Sequence, residues 1–531
     1  MSGVGAFDLI LFLMAVALLL ELLAGRLRMP PAAAFIVGGA ALALIPGVPD
    51  IEIDPDLVLV LFLPPLLLSS AFFTSWRDFR ADIRIIVALA VGAVVFTTLV
   101  VGVVAHFMAP FLPWAACFAL GAILSPPDAV AAKAVLQRLP LPPRLVTLLE
   151  AESLVNDASG LVLYRFAVTA ALTGAFSLHE AAVSFVVLAV GGVAVGVGFG
   201  LATSWLMRVL SNSLHAIVVS FLVSWTSYIV AERIGVSGVL STVACGMVIG
   251  VTQHRYLTAN VRIQAGAVWG VVEFVMESLI FVLIGLSLRG VLSRLGGNVH
   301  ALDSLIPAGL ATIGTVIVAR FIWIVLGTYI PRALVPSLRR GDPYPPLAIP
   351  VIMSWAGMRG VVSLAAALSL PQDFAGRDFL LATTFAVILV TVLVQGSTLG
   401  PLIRWLRPEG FKILHGDTLH ENEARARMAA AQLAEVEKHS LQPDNSHKHP
   451  RLVEQYTYRA RASARFSESQ GSLIQHKREH FHVVLAAISA GRTEILRLHS
   501  AGSIHDSVLH ILEHDLDLEE MSARRHLGEP G

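Results

Sequence analysis

The chain has 531 residues, of which 55% are hydrophobic and 14% charged, whereas a typical soluble domain carries about 25% charged residues. Its formal net charge is zero, which argues against a basic nucleic-acid binder, and its two cysteines, Cys117 and Cys245, lie in apolar runs and support neither a disulfide framework nor a zinc site. The charge is unevenly spread: residues 1–407 hold 23 Lys+Arg and 20 Asp+Glu, while residues 408–531 hold 15 and 18 in under a third of that length. The composition therefore predicts a transmembrane body over 1–407 and a cytosolic helical tail over 408–531.

In chain order, thirteen stretches approach or exceed the ~20 mostly apolar residues a membrane crossing needs. They lie near 7–24, 31–48, 57–74, 84–109, 113–137, 145–172, 180–207, 214–231, 236–252, 263–291, 304–331, 346–370 and 379–406. The first does not read as a signal peptide: no basic residue precedes it, Asp8 opens it, and Arg26 and Arg28 follow it. With the N-terminus outside, inside loops carry fourteen Lys+Arg, including Arg77, Arg80, Arg84, Lys133, Arg138, Arg144, Arg332, Arg339 and Arg340, and outside loops carry four, Arg233, Arg289, Arg294 and Arg377. That asymmetry predicts an outside N-terminus and a cytoplasmic C-terminus, in the plasma (inner) membrane.

Two stretches are interrupted. The fifth contains Ser125-Pro126-Pro127-Asp128 and the twelfth Gly357-Met358-Arg359-Gly360. Proline removes a backbone donor, glycine weakens a helix, and broken backbone at membrane depth survives only against a cavity or inside protein. The breaks lie seven stretches apart, so their helices run in opposite directions. This predicts an inverted repeat of stretches 1–6 and 8–13, with two paired broken helices that point to a transporter site. Gly192, Gly196 and Gly200 in the seventh stretch are spaced for close helix packing.

Ionisable groups at membrane depth default to function. The densest set is Glu150, Glu152, Ser153, Asn156 and Asp157 in the sixth stretch. Asp157 lies near its midpoint, and Ser153, four residues earlier, shares its face. Burial favours the neutral form of a carboxylate and a bound cation the ionised form, so such a group can trade a proton for a monovalent cation. Asp128 either ligates the ion or caps the half-helix after the break, and the freed carbonyls of Ser125, Pro126 and Pro127 are further oxygen ligands. Arg320 and Arg359 need buried partners: Glu152 for Arg320, and the carbonyl end of a half-helix for Arg359. Glu273 and Glu277 either line the pathway or pair internally.

Thirteen of the eighteen histidines lie in the tail, which suits a pH-sensing regulatory domain or simply a solvated bundle; His510 and His514 stand four apart. An enzyme reading rests on Gly235-Val236-Ser237-Gly238, which matches the Gly-x-Ser-Gly of intramembrane serine proteases, but no histidine base is placed near it.

Glu152-Ser153-Leu154-Val155-Asn156-Asp157 resembles the signature of the monovalent cation/proton antiporters, in the electroneutral sodium/proton exchanger branch. The likeness runs through Leu63-Pro64-Pro65-Leu66-Leu67, Leu124 to Asp128, Ile280 to Gly285, Arg320 to Trp323, and Ser354 to Ser363. It implies an all-α dimer of thirteen-span protomers in which a core domain moves against a dimerisation domain. It implies that Asp157 binds Na⁺ or H⁺, assisted by Ser153, Asn156, Asp128 and the Pro127 carbonyl, with a Glu152–Arg320 pair and a charge-balancing Arg359. Neutral Asn156 before the carboxylate implies one-for-one, electroneutral exchange. The substrates are Na⁺ (with Li⁺ and K⁺ open) and H⁺, with lipid around the body and no cofactor, structural metal or nucleic acid. Two departures bear on selectivity and keep a K⁺/H⁺ antiporter open: Pro127 stands where many relatives have Thr, and Ser69 where many have an acidic residue.

Overall fold

The computed structural model describes residues 3–27, 29–45, 55–128, 136, 141–210, 212–290, 299–336, 340, 342, 344–406, 421–443, 445–468, 474–501 and 503–527. Arg28, Lys133, Arg138, Arg294, Arg339, most of the second half of the fifth stretch, and the boundary at 407/408 lie outside these residues.

Among the described residues the chain is helical almost throughout, with a single isolated bridge between Leu441 and His447. The helices are α1 (Gly3–Leu27), α2 (Pro31–Ala43), α3 (Pro55–Phe73), α4 (Trp76–Ala81), α5 (Ile83–Met108), α6 (Trp114–Leu124), α7 (Pro143–Thr173), α8 (Leu178–Val209), α9 (Ser213–Ile234), α10 (Gly238–Tyr256), α11 (Ala259–Leu286), α12 (Val299–Leu334), α13 (Ala348–Trp355), α14 (Val361–Leu368) and α15 (Arg377–Leu406). A second compact unit, Leu414–Gly531, follows Met1–Ile413 and holds α16 (Glu421–Ser440), α17 (Pro450–Glu468), α18 (Ile474–Ser500) and α19 (Asp506–Leu527). In it α16 packs on α17 and α18 on α19.

Local signals set many helix ends. Ser75, Ser177, Asn212, Ser237 and Thr258 each accept a backbone N–H of the helix they open. Gly174 (φ 70°) and Gly235 (φ 83°) close α7 and α9 in the left-handed conformation that suits glycine. The Ser237 hydroxyl therefore has a structural task as the N-cap of α10.

Among the described residues, seven helices are long and apolar enough to cross a membrane by length and composition: α1, α5, α8, α9, α11, α12 and α15. Shorter apolar helices at Pro31–Ala43, Leu57–Phe73 and Trp114–Leu124 join them. Large apolar side chains such as Leu19, Leu22, Val187, Val190 and Trp205 stay exposed on α1 and α8, as a hydrocarbon solvent requires.

The packing repeats itself when each apolar stretch is exchanged with the one seven places away. The second stretch, α2, packs on the tenth, α11; the exchanged pair, α10 and α3, packs in the same way. Both contacts are backbone against backbone. A Cβ on Gly39 would collide with the Val282 carbonyl, and one on Gly250 with the Phe72 carbonyl. The glycines of α8 serve the same end, since Gly192 and Gly196 lie against the carbonyls of Ser237 and Ser241 in α10. Most packing falls within two groups: α1, α2, α3 and α8–α11 form one, and α5–α7 with α12–α15 the other.

Candidate functional site

The site lies where the two interrupted stretches meet. Helix α6 ends at Leu124, the Ser125 hydroxyl returns to the Ala122 carbonyl at 3.0 Å, and Pro126 and Pro127 have no N–H to continue the ladder. The chain then reaches Asp128, whose backbone N–H donates to the Met358 carbonyl at 2.7 Å, inside the other break. The Asp128 carboxylate accepts the backbone N–H of Val361 at 3.3 Å, at the first residue of α14. Asp128 thus serves the N-terminus of the partner break's half-helix; most of the half-helix expected after Asp128 itself falls outside the described residues. Gly360 is required for this approach, because a Cβ there would collide with the Asp128 carboxylate.

Arg359 is 1% exposed. Its Nε donates to the Leu124 carbonyl at 2.5 Å and its Nη1 to the Gly357 carbonyl at 2.7 Å. It therefore places positive charge on the carbonyl end of α6, where the helix dipole is negative.

Opposite the crossing runs α7. Asp157 is 8% exposed and, with Glu150 and Ser153, lines a cleft whose other walls include Ser70 of α3, Pro126, Asp128 and Gly360–Ser363. Asn156 is fully buried and donates its Nδ2 to the Pro127 carbonyl at 3.0 Å, tying α7 to the first break. Its Oδ1 has no partner among the described residues. Pro126 lines the cleft, whereas the Pro127 carbonyl serves Asn156.

Beside the cleft, Glu152 points away from Asp157 and meets Arg320 of α12. Arg320 donates to the two Glu152 carboxylate oxygens at 2.6 and 2.9 Å and to the Met353 carbonyl at 3.3 and 3.2 Å. Both side chains are nearly fully buried. This bidentate geometry is the strong form of the ion pair, and it fixes α7, α12 and α13 to one another.

Glu273 of α11 accepts a hydrogen bond from Ser69 of α3, so a carboxylate from another helix stands at that serine. Outside the apolar stretches, Arg144 bridges Asp82 at 2.5 Å and Asp342 at 2.9 Å, and Arg332 also reaches Asp342 at 2.5 Å. Burial alone would raise the Asp342 carboxyl, but hydrogen bonds and charge from Arg144 and Arg332 hold it below its ordinary value. Among the described residues no three His, Cys, Asp or Glu side chains cluster as a metal site, and His510 lies 3.6 Å from Glu513.

Sequence reasoning singled out Asp128, Asp157 and the Glu152–Arg320 pair by their charge at membrane depth, and Ser153 and Asn156 by their places one turn before and next to Asp157. It missed Ser70 and Ser363 in the cleft walls, because a serine in a membrane helix carries no such signal. It also missed the Ser69–Glu273 contact, whose partners are 204 residues apart.

Comparison with known proteins places these features in context. The family described as "Sodium/hydrogen exchanger, transmembrane" matches residues 11–405. An uncharacterized Na⁺/H⁺ exchanger of Mycobacterium tuberculosis is 32% identical over 96% of this chain and 95% of its own. The "Sodium, potassium, lithium and rubidium/H(+) antiporter" of Bacillus pumilus is 32% identical over 84% of this chain and 68% of its own. The Na⁺/H⁺ antiporter NhaH of Halobacillus dabanensis is 30% identical over 75% of this chain and 98% of its own. Among solved structures, the sodium proton antiporter MjNhaP1 of Methanocaldococcus jannaschii at pH 8 shares the fold with a TM-score of 0.59 and 19% identity, over 76% of this chain and 99% of that one.

Proposed function

The chain belongs to the sodium/hydrogen exchanger family, and from that premise we propose that it is a secondary antiporter exchanging Na⁺ for H⁺, electroneutrally and by alternating access. It is a carrier and not an enzyme. The observation that carries the mechanism is Asp157: a buried carboxylate, one helical turn from the Ser153 hydroxyl, in a cleft walled by both chain breaks.

In this reading Asp157 holds either a proton or Na⁺. The Ser153 hydroxyl and freed backbone carbonyls replace part of the ion's water shell. Asn156 braces the first break through Pro127, Asp128 offsets the N-terminal end of α14, and Arg359 offsets the carbonyl end of α6. With the helix termini compensated locally, the charge that changes during transport is that of Asp157. Glu152–Arg320 stays paired and structural.

The wider architecture is part of the proposal. Thirteen crossings place the N-terminus outside and the C-terminus in the cytoplasm of the plasma membrane. Residues 1–407 form the transporter and 408–531 a regulatory tail, and two protomers form the working unit, with the group containing α7 moving against the group containing α3. The match of the family to residues 11–405, ending before the tail, supports this division. Potassium in place of sodium is a second reading, favoured by the name of the Bacillus pumilus relative and by Ser69 and Pro127.

The test is Asp157→Asn in proteoliposomes, scored by dissipation of a pH gradient on adding Na⁺, Li⁺ or K⁺. Asparagine keeps the shape and cannot ionise. The variant should be dimeric and as heat-stable as wild type or more so, and inactive with each cation. Wild-type exchange by this variant would refute the assignment, and a response of the wild type to K⁺ alone would replace sodium by potassium.

A further inference from the structure

Ser363 is the third residue of α14, 1% exposed, and lines the same cleft as Asp157, Ser153 and Asp128. Its hydroxyl has no partner among the described residues. A buried polar atom left unpaired is costly and needs an explanation. Most hydroxyls in this bundle find one within their own helix: Ser354 donates to Pro350, Thr312 to Ala308 and Ser369 to Ala366.

The chain break explains why Ser363 does not. The carbonyl four residues earlier belongs to Arg359, which lies in the break, and the one three residues earlier, that of Gly360, accepts the Leu364 N–H at 3.2 Å. The break thus frees a hydroxyl and sets it in the cleft wall contributed by α14. A cation there would normally be disfavoured by the N-terminal end of a helix, but the Asp128 carboxylate already occupies that end through Val361. Asn156 Oδ1, fully buried, is an unpartnered acceptor on α7 beside the same breaks.

Resting on the antiport reading above, we propose that Ser363 is a further coordinating residue for the transported cation, its hydroxyl oxygen adding to the oxygens of Asp157 and Ser153 from the α14 wall. Hard monovalent cations take neutral oxygen ligands of this kind, and a hydroxyl beside one carboxylate adds to coordination without adding charge. Ser363 therefore tunes cation affinity and selectivity and leaves the proton step to Asp157.

The test compares Ser363→Ala and Ser363→Thr with wild type in proteoliposomes, across Na⁺, Li⁺ and K⁺ at fixed pH. Removing one neutral ligand should raise the Na⁺ KM by about three- to tenfold, with the maximal rate within about twofold of wild type. Threonine, which restores the hydroxyl, should recover most of the affinity. In detergent, the rise in Tm produced by Na⁺ should be smaller for Ser363→Ala than for wild type, a readout independent of transport. An unchanged KM for all three cations overturns the proposal. So does loss of maximal rate and of Tm at unchanged KM, since that marks a packing role. Absence of exchange in the wild type would instead refute the antiport reading itself, so the two failures are distinguishable.

Discussion

Arg320 holds both carboxylate oxygens of Glu152 at 2.6 and 2.9 Å and reaches on to the Met353 carbonyl, so the residue five before Asp157 is anchored to a different pair of helices. The pair has a simple consequence for Asp157. It holds α7 in rotation, and so holds the Ser153–Asp157 face toward the cleft.

Removing one partner leaves a buried charge uncompensated, at a cost of roughly 3–5 kcal/mol. Arg320→Ala should therefore lower Tm and yield markedly, while the Arg320→Met/Glu152→Leu double variant, which removes both charges, should recover much of the loss. A single Arg320→Ala variant that melts like wild type and has lost transport would assign Arg320 to the ion path instead.

The Arg144–Asp342–Arg332 cluster makes a pH prediction whose sign is fixed. Asp342 has a lowered folded-state value, so its contribution is fully present above the ordinary unfolded carboxylate range, about 3.9, and is lost as pH falls through the lower folded value. Asp342→Asn should lower Tm most at neutral pH, and the difference from wild type should shrink as the buffer is acidified below about pH 4. A difference that grows in acid contradicts the arrangement. The effect is modest, because Asp342 and Arg144 keep partial access to solvent.

Residues 414–531 form a compact unit of their own with soluble composition and thirteen histidines. Histidine ordinarily titrates near neutral pH. Deleting residues 420–531 should leave exchange measurable and shift the activity–pH curve. A truncated protein that is folded and inactive at every pH would make the tail part of the transporting unit.

Much of this was legible in the sequence, for identifiable reasons. A carboxylate at mid-span is so costly that Asp157 could be singled out from position alone, and Pro126-Pro127 and Gly357–Gly360 announce breaks because backbone donors or helix propensity fail there. Charge also indicated that Arg320 and Arg359 need partners. Which break Asp128 serves was not legible: a cap on its own half-helix and a cap on α14 have the same local sequence, and only the crossing decides. Glu273 could not be assigned for the same reason, since its contact with Ser69 depends on how α3 and α11 pack. Ser363 ends one of the stretches that carry the family likeness, but nothing in the sequence marked it as a ligand, because a neutral serine becomes informative only when its burial and missing partner are known.

The account's central claim is that a single carboxylate, Asp157, trades one proton for one monovalent cation, so that a turnover moves no net charge. A membrane potential acts with ~2.3 kcal/mol per charge per 100 mV on any net charge that crosses, and on nothing if none does. The most direct measurement is Na⁺ uptake driven by a fixed pH gradient in proteoliposomes, with the potential set by K⁺ and valinomycin to either sign. The account predicts the same uptake rate at positive, zero and negative potential. Rates that change strongly with the sign of the potential would contradict it and make Asp128, 3.3 Å from the first amide of α14, a second proton carrier.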